Sequence, residues 1–489
     1  MKKKLGLNIL IIILAFLFSG CYSIDTISYE GEEDVLVYSV DKMPESLISK
    51  NSSINREDDA ICAIFEGLVE LNESGEVIPC LSQGWMISDD GLEYTFKLKE
   101  DAMWSSGEII TSFDFIDYFK YILSPDNSGD SLEELYVIEG VSDYKNGICS
   151  FENVKIQAID NRTIFIKLNN ADDNFLKKIS KPMYRLRDTN EPLNDYKNQY
   201  ANIRYTGAYK IESISNNEIL LKANTYYEDG VNGIEKIKIK VRDSLESDFA
   251  SYNLGEIDIL WNPPIMSLNE GNLLSNIKFS SSNIVKTLIF NIESDIICDT
   301  RFREGLFNAL YLEVLDSYML SKNIGTWCFN EIEYNDLLQQ KVDLNEYYDE
   351  SKRIRLKENA KELLGKLDTR KKVISLVAEN TSENKLICEF VADTLKENYN
   401  ILSKITLLDK EELDNYLEEK NFDIYIEDLN IENLKLRGEW DVTNLKYVTE
   451  EKYSIVSLYY KNSIWCKSNK IKYLYIDGNG NLIIKYTKR

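Results

Sequence analysis

The hydrophobic and polar positions of this 489-residue chain alternate between two periods, one of two residues and one near 3.6 residues. Val35 to Val40 is predicted to be a short apolar strand. A helix is expected to follow, because Ile61, Ile64, Phe65 and Leu68 recur at helical spacing. Strand-like and helix-like segments alternate in this way along the chain, which favours an α/β fold.

A hairpin and a helix are predicted between residues 80 and 125. Tyr94 to Leu98 alternates as a strand after the turn at residues 89–91, which is the pattern of a hairpin. Thr111 and Asp114 have the spacing of a capping box and predict a helix start. The apolar face of that helix comprises three residues at helical spacing: Phe115, Phe119 and Ile122.

The second half of the chain has a β-α-β-α-β order, which favours a parallel sheet with helices on both faces. Its predicted strands are Val373 to Val377, Ile405 to Leu408 and Phe422 to Ile426. Its predicted helices are Ala360 to Leu367, Asn384 to Tyr399 and Glu411 to Glu418. Closing strands are expected at Tyr453 to Tyr460 and at Ile471 to Tyr486, the latter folded back at residues 477–480.

Composition restricts the function. The chain has 82 acidic and 57 basic side chains and no histidine, with a formal net charge of −25. Nucleic acid is not expected as a partner, because phosphate binding needs clustered lysine and arginine. The lack of histidine excludes Ser-His-Asp and Cys-His catalysis and histidine-ligated metals. Because phosphate-loop, nucleophile-elbow and dinucleotide motifs are also absent, we expect no enzyme activity, metal or cofactor.

The first residues have the layout of a secretory signal with a lipoprotein cleavage site. Lys2 to Lys4 precede an apolar run from Ile9 to Phe18, and two small residues lead to Cys21. We expect a signal peptide at residues 1–20, a lipid on Cys21 and a tether over residues 21–33. The protein would then lie at the extracellular face of a bacterial cytoplasmic membrane, held by lipid alone. The alternative is a plain membrane-anchored start.

Seven further cysteines are scattered singly and are expected to be mostly free thiols. Zinc is not expected at that spacing. Asp477 to Asn481 is similar to the start of a calcium loop, but Leu482 occupies the position that needs glycine. We therefore interpret that segment as a hairpin turn.

Five blocks of sequence, in order, resemble one family. They are Glu66 to Pro125, Gly140 to Leu168, Tyr205 to Tyr227, Leu254 to Ile259, and Ile289 to Asn291 followed by Asp299 to Leu310. The first contains E-G-L-V-E-L-N-E-S-G-E-V-I-P and D-A-M-W-S-S-G-E, and the last reads D-T-R-F-R-E-G-L-F-N-A-L. Together they resemble the bacterial extracellular solute-binding proteins of family 5, the oligopeptide, dipeptide and nickel receptors of ABC importers.

The resemblance implies a two-lobed, periplasmic-binding-protein-like α/β fold of type II, with an extra α/β subdomain in the first lobe. Residues 34–265 would form lobe I, with the subdomain inserted at about 56–183. Residues 266–450 would form lobe II, and residues 451–489 would supply closing strands that return to lobe I. A ligand would be bound between the lobes, which close around it.

The function implied is capture of a short peptide and its delivery to an ABC permease in the membrane, by a monomer and without a chemical step. The alternative is a degenerate family member that acts as a surface sensor or partner-binding lipoprotein. A third interpretation is an extracellular hydrolase. It would need two catalytic carboxylates that are distant in sequence and that the fold brings together. Neighbouring genes for a permease and an ATPase would favour transport.

Candidate ligand contacts come from three places. The loop after the first strand offers Tyr38, Ser39 and Asp41, and the crossover between lobes offers Trp261 and Asn262. The third place follows Ile426 and offers four residues: Asp428, Asn430, Trp440 and Asp441. For the aromatic residues, core packing is the competing interpretation. Peptide receptors of the family have a "D-P" pair at the third place, whereas this chain has no proline after Pro264, so peptide specificity stays open.

Overall fold

The computed structural model describes residues 35–48, 56–127, 132–215, 217–264, 276–295, 297–310, 325–331, 350–365, 373–418, 421–430 and 455–489. Five of the predicted features lie outside these residues: the signal peptide, Cys21, the tether, Trp440 and Asp441.

The described strands are β1 (Val35–Val40), β2 (Val69–Leu71), β3 (Val77–Pro79), β4 (Ser82–Ile87), β5 (Glu93–Leu98), β6 (Ile156–Asp160), β7 (Thr163–Lys167), β8 (Tyr209–Ser215), β9 (Glu218–Ala223), β10 (Lys236–Val241), β11 (Ile259–Trp261), β12 (Ile277–Phe290), β13 (Gly325–Glu331), β14 (Val373–Glu379), β15 (Leu402–Leu408), β16 (Ile424–Asn430) and β17 (Ile455–Lys467).

The described α-helices are α1 (Glu57–Ile64), α2 (Ser112–Ile122), α3 (Val141–Lys145), α4 (Phe175–Ile179), α5 (Tyr196–Gln199), α6 (Leu245–Asn253), α7 (Thr300–Leu310), α8 (Glu350–Gly365), α9 (Ser382–Tyr399) and α10 (Lys410–Glu418). Short 3₁₀ turns are at Glu133–Leu135, Phe151–Asn153, Pro182–Tyr184, Leu193–Asp195, Tyr200–Asn202 and Ile484–Tyr486.

Most strands join one 11-stranded sheet in the order β15-β14-β16-β12-β17-β11-β1-β10-β9-β8, and β13 also pairs with β17. We call β8 to β11 with β1 the amino-terminal half of this sheet, and β12 to β16 the carboxyl-terminal half. β1 pairs with β11 in parallel, and β14 pairs in parallel with both β15 and β16. A separate four-stranded sheet has the order β4-β5-β7-β6, and β2 and β3 form a hairpin.

Three large hydrophobic clusters fill the described chain. One packs the amino-terminal half of the sheet against the C-terminal segment, with Leu36, Tyr38, Trp465, Ile476 and Ile484 among its members. Another packs helices on the carboxyl-terminal half, with Phe302, Leu376, Val391 and Val456. The third surrounds the four-stranded sheet, with Phe96, Trp104, Phe115 and Ile164. These apolar groups, removed from water, dominate the stability of each part.

Several local predictions are confirmed. β1 has the predicted bounds, and the β4-β5 hairpin turns through Gly91, whose φ of 70° favours glycine. The capping box is present, with the Asp114 carboxylate accepting a hydrogen bond from the Thr111 backbone N–H at 2.6 Å. The β-α-β-α-β segment forms the predicted parallel pairs.

Other predicted bounds are wrong. The helix at Ala360 begins ten residues earlier, at Glu350. α1 ends at Ile64, so Phe65 and Leu68 are buried but lie beyond the helix. Residues 471–486 turn back at Asp477 but form isolated bridges rather than continuous strands, because their backbone also bonds to other segments: the Gly478 N–H donates to the Asn72 carbonyl at 2.9 Å.

β17 joins the two halves of the sheet, because it pairs with β11 of one half and with β12 and β13 of the other. Ile277–Ser281 pair with Asn462–Cys466, and Val285–Ile289 pair with Ile455–Tyr460. The second stretch contains a register shift between Lys286 and Thr287, and between the two stretches residues 282–284 of β12 face the single residue Lys461 of β17. Such a bulge interrupts the hydrogen-bond ladder where the two halves meet.

Within the described residues, no helix has both the length and the apolar composition needed to cross a membrane.

Candidate functional site

The carboxyl ends of parallel strands form one edge of the sheet, which in open α/β folds is where ligands bind. In the amino-terminal half that edge comprises the residues after β1 and β11. Tyr38 faces Ile259 across the two strands and is fully buried, and its hydroxyl has no hydrogen-bond partner. Burial raises the pKa of Tyr38 well above its ordinary value, with a further contribution from the Asp59 carboxylate. Its surroundings are those of a core residue.

Ser39 is also buried, and its hydroxyl donates a hydrogen bond to the Asp248 carboxylate at the start of α6. Burial raises the pKa of Asp248, although the Ser39 hydroxyl and the Arg242 guanidinium oppose that rise. Ser39 therefore ties β1 to α6.

Arg242 follows β10 and connects two of the predicted residues. Its Nε donates to Asp41 Oδ1 at 2.6 Å, and its guanidinium carbon lies 4.3 Å from the centre of the Trp261 ring. The Asp41 side chain is 35% exposed, whereas that of Arg242 is 6% exposed. Stacking on tryptophan stabilises a guanidinium that has lost most of its water. Asp41 thus presents a partly exposed carboxylate backed by a buried cation.

Asn262 connects β11 to β17. Its N–H donates to the Ile464 carbonyl at 2.7 Å, and its side-chain oxygen accepts from the Ile464 N–H at 3.0 Å. Its φ of 45° is left-handed, a conformation that asparagine tolerates better than most residues. Asn262 therefore fixes the crossover strand next to the bulge in β12.

In the carboxyl-terminal half, Asp428 belongs to a cluster of four charged side chains: Lys286, Glu383, Asp428 and Lys461. We call it the open cluster. Asp428 is 2.5 Å from the Lys286 ammonium and 2.7 Å from the Lys461 ammonium. Lys461 also lies 2.7 Å from Glu383, which is in the first turn of α9.

Two neutral groups complete the open cluster. The Tyr459 hydroxyl donates to Glu383 at 2.6 Å, and the Lys286 ammonium donates to the Asn384 side chain at 2.7 Å. Burial would raise the pKa of Asp428, but Lys286 and Lys461 outweigh it and lower that pKa to about 2. The same two lysines lower the pKa of Glu383 against the effect of burial. Both carboxyls are therefore ionised at neutral pH.

The four charged side chains of the open cluster differ in their exposure to water. The Lys286 side chain is 1% exposed, whereas those of Glu383, Lys461 and Asp428 are 13%, 19% and 27% exposed. It lies at the carboxyl ends of β14 and β16 and at the start of α9, the position of ligand sites in open sheets. Asn430 ends β16 opposite Ile284.

A second group of four charges lies near the C-terminal segment: Glu66, Glu70, Arg185 and Lys485. We call it the sealed cluster, because each of these side chains is at most 5% exposed. Lys485 is 2.5 Å from Glu66 and 3.0 Å from Glu70, and Arg185 is 3.7 Å from Glu70. It joins the C-terminal segment to the chain around β2 and to the segment before α5.

Sequence reasoning missed Arg242 and the lysines of the open cluster. A signal existed for Lys286, because it interrupts the apolar strand pattern of I-V-K-T-L-I-F at residues 284–290. A lysine in such a strand implies a buried carboxylate partner. Nothing in the sequence identifies that partner as Asp428, 142 residues away by number.

In a chain without histidine, acidic side chains and cysteines are the remaining candidate metal ligands. No three Cys, Asp or Glu side chains in the described part of the chain are grouped so that they could hold an ion. The Asp477 carboxylate accepts the N–H groups of Asn479 and Asn481 at 2.9 and 2.8 Å, as in an Asx turn. The described cysteines Cys62, Cys80, Cys149, Cys298, Cys388 and Cys466 are free thiols.

Comparison with known proteins identifies one family. Residues 76–435 match the profile of the bacterial extracellular solute-binding proteins, family 5 middle region. The dipeptide-binding protein DppE of Bacillus subtilis is 25% identical over 338 residues, which cover 66% of this chain and 61% of that protein. The oligopeptide-binding protein OppA of the same organism is 27% identical over 275 residues, covering 53% and 49%. The matched regions therefore span about half to three fifths of these relatives.

Solved structures show the same fold. The murein tripeptide binding protein MppA of Escherichia coli superposes with a TM-score of 0.70 at 18% identity, covering 94% of this chain and 98% of that one. OppA of Haemophilus influenzae in complex with RPPGFSPFR gives a TM-score of 0.68 at 18% identity, covering 94% and 98%. The predicted two-lobed α/β architecture of type II is confirmed.

Proposed function

Because the chain belongs to family 5 of the bacterial extracellular solute-binding proteins, we propose that it is the substrate-binding protein of an ABC importer and binds short peptides between two lobes. Relatives named for dipeptide and oligopeptide binding support this substrate class. The domain boundaries are proposed as predicted: lobe I at 34–265, lobe II at 266–450 and a return to lobe I after 451. None of these relatives is named as an enzyme, and binding requires no chemical step.

The observation that carries the proposal is the partly exposed carboxylate of Asp428 at the carboxyl ends of β14 and β16. An ionised carboxylate with restricted access to water attracts an ammonium group more strongly than one in bulk water. We propose that Asp428 receives the amino terminus of the peptide. Asn430, Trp440 and Asp441 are proposed to line the same side of the cleft.

On the lobe I side, Asp41 has a partly exposed carboxylate that is held by Arg242. We propose that Asp41 faces the ligand, and that Tyr38, Ser39, Trp261 and Asn262 form the wall behind it. Affinity would come chiefly from hydrogen bonds to the peptide backbone, as when a strand is added to a sheet edge. Recognition of that kind accepts many side chains.

The proposal includes the route of delivery. A lipid on Cys21 would hold the monomeric protein at the outer face of the membrane, within reach of a permease that recognises the closed form. Ligand contacts with both lobes stabilise that form, because only the closed state makes both sets of contacts.

One observation favours a second candidate, a family member that no longer transports and acts as a sensor or partner-binding lipoprotein. Ser39, Asp41 and Asp428 are already bonded to Asp248, Arg242 and two lysines within the chain. Binding of a peptide must therefore compete with intramolecular contacts, which lowers affinity.

Native mass spectrometry of the protein purified without denaturation separates the two candidates. We expect a mixture of co-purified short peptides, and an increased Tm when the emptied protein is mixed with oligoalanines of two to six residues. A protein that carries no peptide and gives no thermal shift with that pool would overturn peptide binding and favour the sensor.

A further inference from the structure

Lys461 lies where the pairing of β17 with β12 is interrupted. Residues 282–284 of β12 bulge opposite Lys461, and a second register shift lies between Lys286 and Thr287. On the other edge of β17, the described residues of β13 pair with β17 from Val456 to Lys461, with a register shift between Trp327 and Asn330, and β11 pairs with Trp465 to Lys467. A strand that joins two lobes bends most easily where its ladder is interrupted.

The side chain of Lys461 is bound to the carboxyl-terminal half of the sheet. Its ammonium is 2.7 Å from Glu383 at the start of α9 and 2.7 Å from Asp428 on β16. Tyr459, two residues earlier on the same strand, donates to the same Glu383 at 2.6 Å. These contacts fix β17 to the β14-β16 side up to the bulge and so oppose bending there.

Asp428 is shared between two lysines that differ in access to water. Lys286 is 1% exposed, and Asp428 at 2.5 Å is the nearer of its two carboxylates, because Glu383 lies 3.6 Å away. Moving Asp428 away from this ammonium is unfavourable, because water cannot take its place there. Lys461 is 19% exposed, so water can solvate its ammonium if Asp428 is taken by another cation, and Glu383 remains as its second partner. Of the two lysines, Lys461 is the one that an incoming ammonium can displace.

We propose that Lys461 couples peptide binding to hinge bending: the amino terminus of the peptide takes the place of Lys461 on Asp428, and β17 is released to bend at the bulge. This inference rests on the proposed function, because it assigns the peptide's ammonium to Asp428. It explains why Asp428, the carboxylate proposed to bind the peptide, is paired with Lys461 when no peptide is bound. The ion pair stabilises the open state, and the ligand transfers that stabilisation to the closed state.

The test uses the full chain and the Lys461→Met variant, which keeps the aliphatic stem and removes the charge. The radius of gyration without ligand is measured by small-angle scattering, and affinity for the oligoalanine pool by calorimetry. We expect the free variant to shift toward the compact radius of the peptide-bound wild type and to bind about fivefold more tightly or better, the range of ordinary coupling energies.

Lys472→Met is the matched control, because Lys472 is an exposed lysine eleven residues further on and its loss changes the net charge equally. Glu383→Gln is a second variant that weakens the other anchor of Lys461 and is expected to shift the radius in the same direction. It keeps the test decisive if Lys461→Met does not fold.

The outcomes separate the two proposals. If the wild type does not bind the oligoalanine pool, the proposed function fails whatever the variants do. If the wild type binds and the folded variants match it in radius and affinity, or bind more weakly, peptide binding stands and the role of Lys461 is overturned.

Discussion

The sealed cluster and the open cluster have the same charges, two bases and two carboxylates, but different access to water. In the sealed cluster every side chain is at most 5% exposed. In the open cluster only Lys286 is buried to that extent, and Asp428 is 27% exposed. In both clusters the positive and negative charges are equal in number, because an unpaired buried charge is strongly destabilising. Charge balance alone therefore does not distinguish a candidate ligand site from a structural ion cluster. The two clusters are distinguished by their position relative to the sheet edge and by their access to water.

The two clusters also differ in what they connect. The sealed cluster joins segments that are distant in sequence through Lys485, and the Tyr486 hydroxyl adds a bond to Glu70 at 2.7 Å. The open cluster lies at strand ends beside the bulge shared by β12 and β17. We therefore assign stability to the first, and we propose the ligand response for the second.

The largest effect is expected from Lys485→Met. It leaves Glu66 and Glu70 buried with one cation, Arg185, which is 3.7 Å from Glu70. Removing one partner of a buried ion pair costs about 3–5 kcal/mol. Chemical denaturation should show this loss, with Lys488→Met, an exposed lysine three residues away, as control. Equal stability of the two variants would mean that the sealed cluster is not structural.

Asp477, which lies near the sealed cluster, is expected to make the free energy of unfolding depend on pH. Burial raises its pKa from 3.8 to about 6, against opposing hydrogen bonds and the charge of Arg185. A carboxyl whose pKa is higher in the folded state contributes stability that is fully present below about pH 4 and is lost as pH rises through 6. The loss is at most about 3 kcal/mol.

Asp477→Asn should therefore remove a downward slope in the free energy of unfolding between pH 4 and 6, and should be more stable than the wild type at pH 7. Denaturation curves of both proteins across that range measure the difference. If the free energy of unfolding depended on pH equally in the two proteins, ionisation of Asp477 would not destabilise the folded state.

The Asp428→Asn variant tests the open cluster, where we expect a small loss of stability and a large loss of affinity. Its two lysines lose a carboxylate, but both keep Glu383, which is 2.7 Å from Lys461 and 3.6 Å from Lys286, so we expect a smaller stability loss of about 1–3 kcal/mol. Affinity for oligoalanines should fall at least tenfold, or about 1.4 kcal/mol. Calorimetry with Asp126→Asn as an exposed control measures this change. Unchanged affinity would remove Asp428 from the site.

The smallest effect is expected from an ion pair at the surface. Lys42 and Glu45 are 2.5 Å apart, with side chains 54% and 78% exposed. Pairs of this kind contribute little, because water solvates both partners well. Lys42→Met should leave Tm unchanged within error in a thermal scan. A loss comparable with that of Lys485→Met would contradict our use of exposure to rank the clusters.

Much of the fold was predictable because its signals are local. The capping box of Thr111 and Asp114, the hairpin turn at Gly91 and the parallel strands from Val373 onward each depend on neighbouring residues. The sequence blocks that resemble family 5 predicted the rest of the architecture. Bounds failed where tertiary contacts decide them, as at residues 471–486.

The candidate site was predictable only in part. Asp428 was named from its place after an apolar strand, but its partners Lys286 and Lys461 lie on other strands, 142 and 33 residues away by number. Pairing of buried charges depends on strand register, and the bulge at residues 282–284 shifts that register. Trp440 and Asp441 lie outside the described residues and stay predictions.

The most direct test of peptide binding at the open cluster compares tetra-alanine with its N-acetylated form on the wild type and on Asp428→Asn. If Asp428 receives the amino terminus, acetylation should weaken binding to the wild type by about tenfold or more, and should make little further difference in the variant. Equal affinity of the wild type for the free and acetylated peptides would contradict the assignment of the open cluster to the ligand.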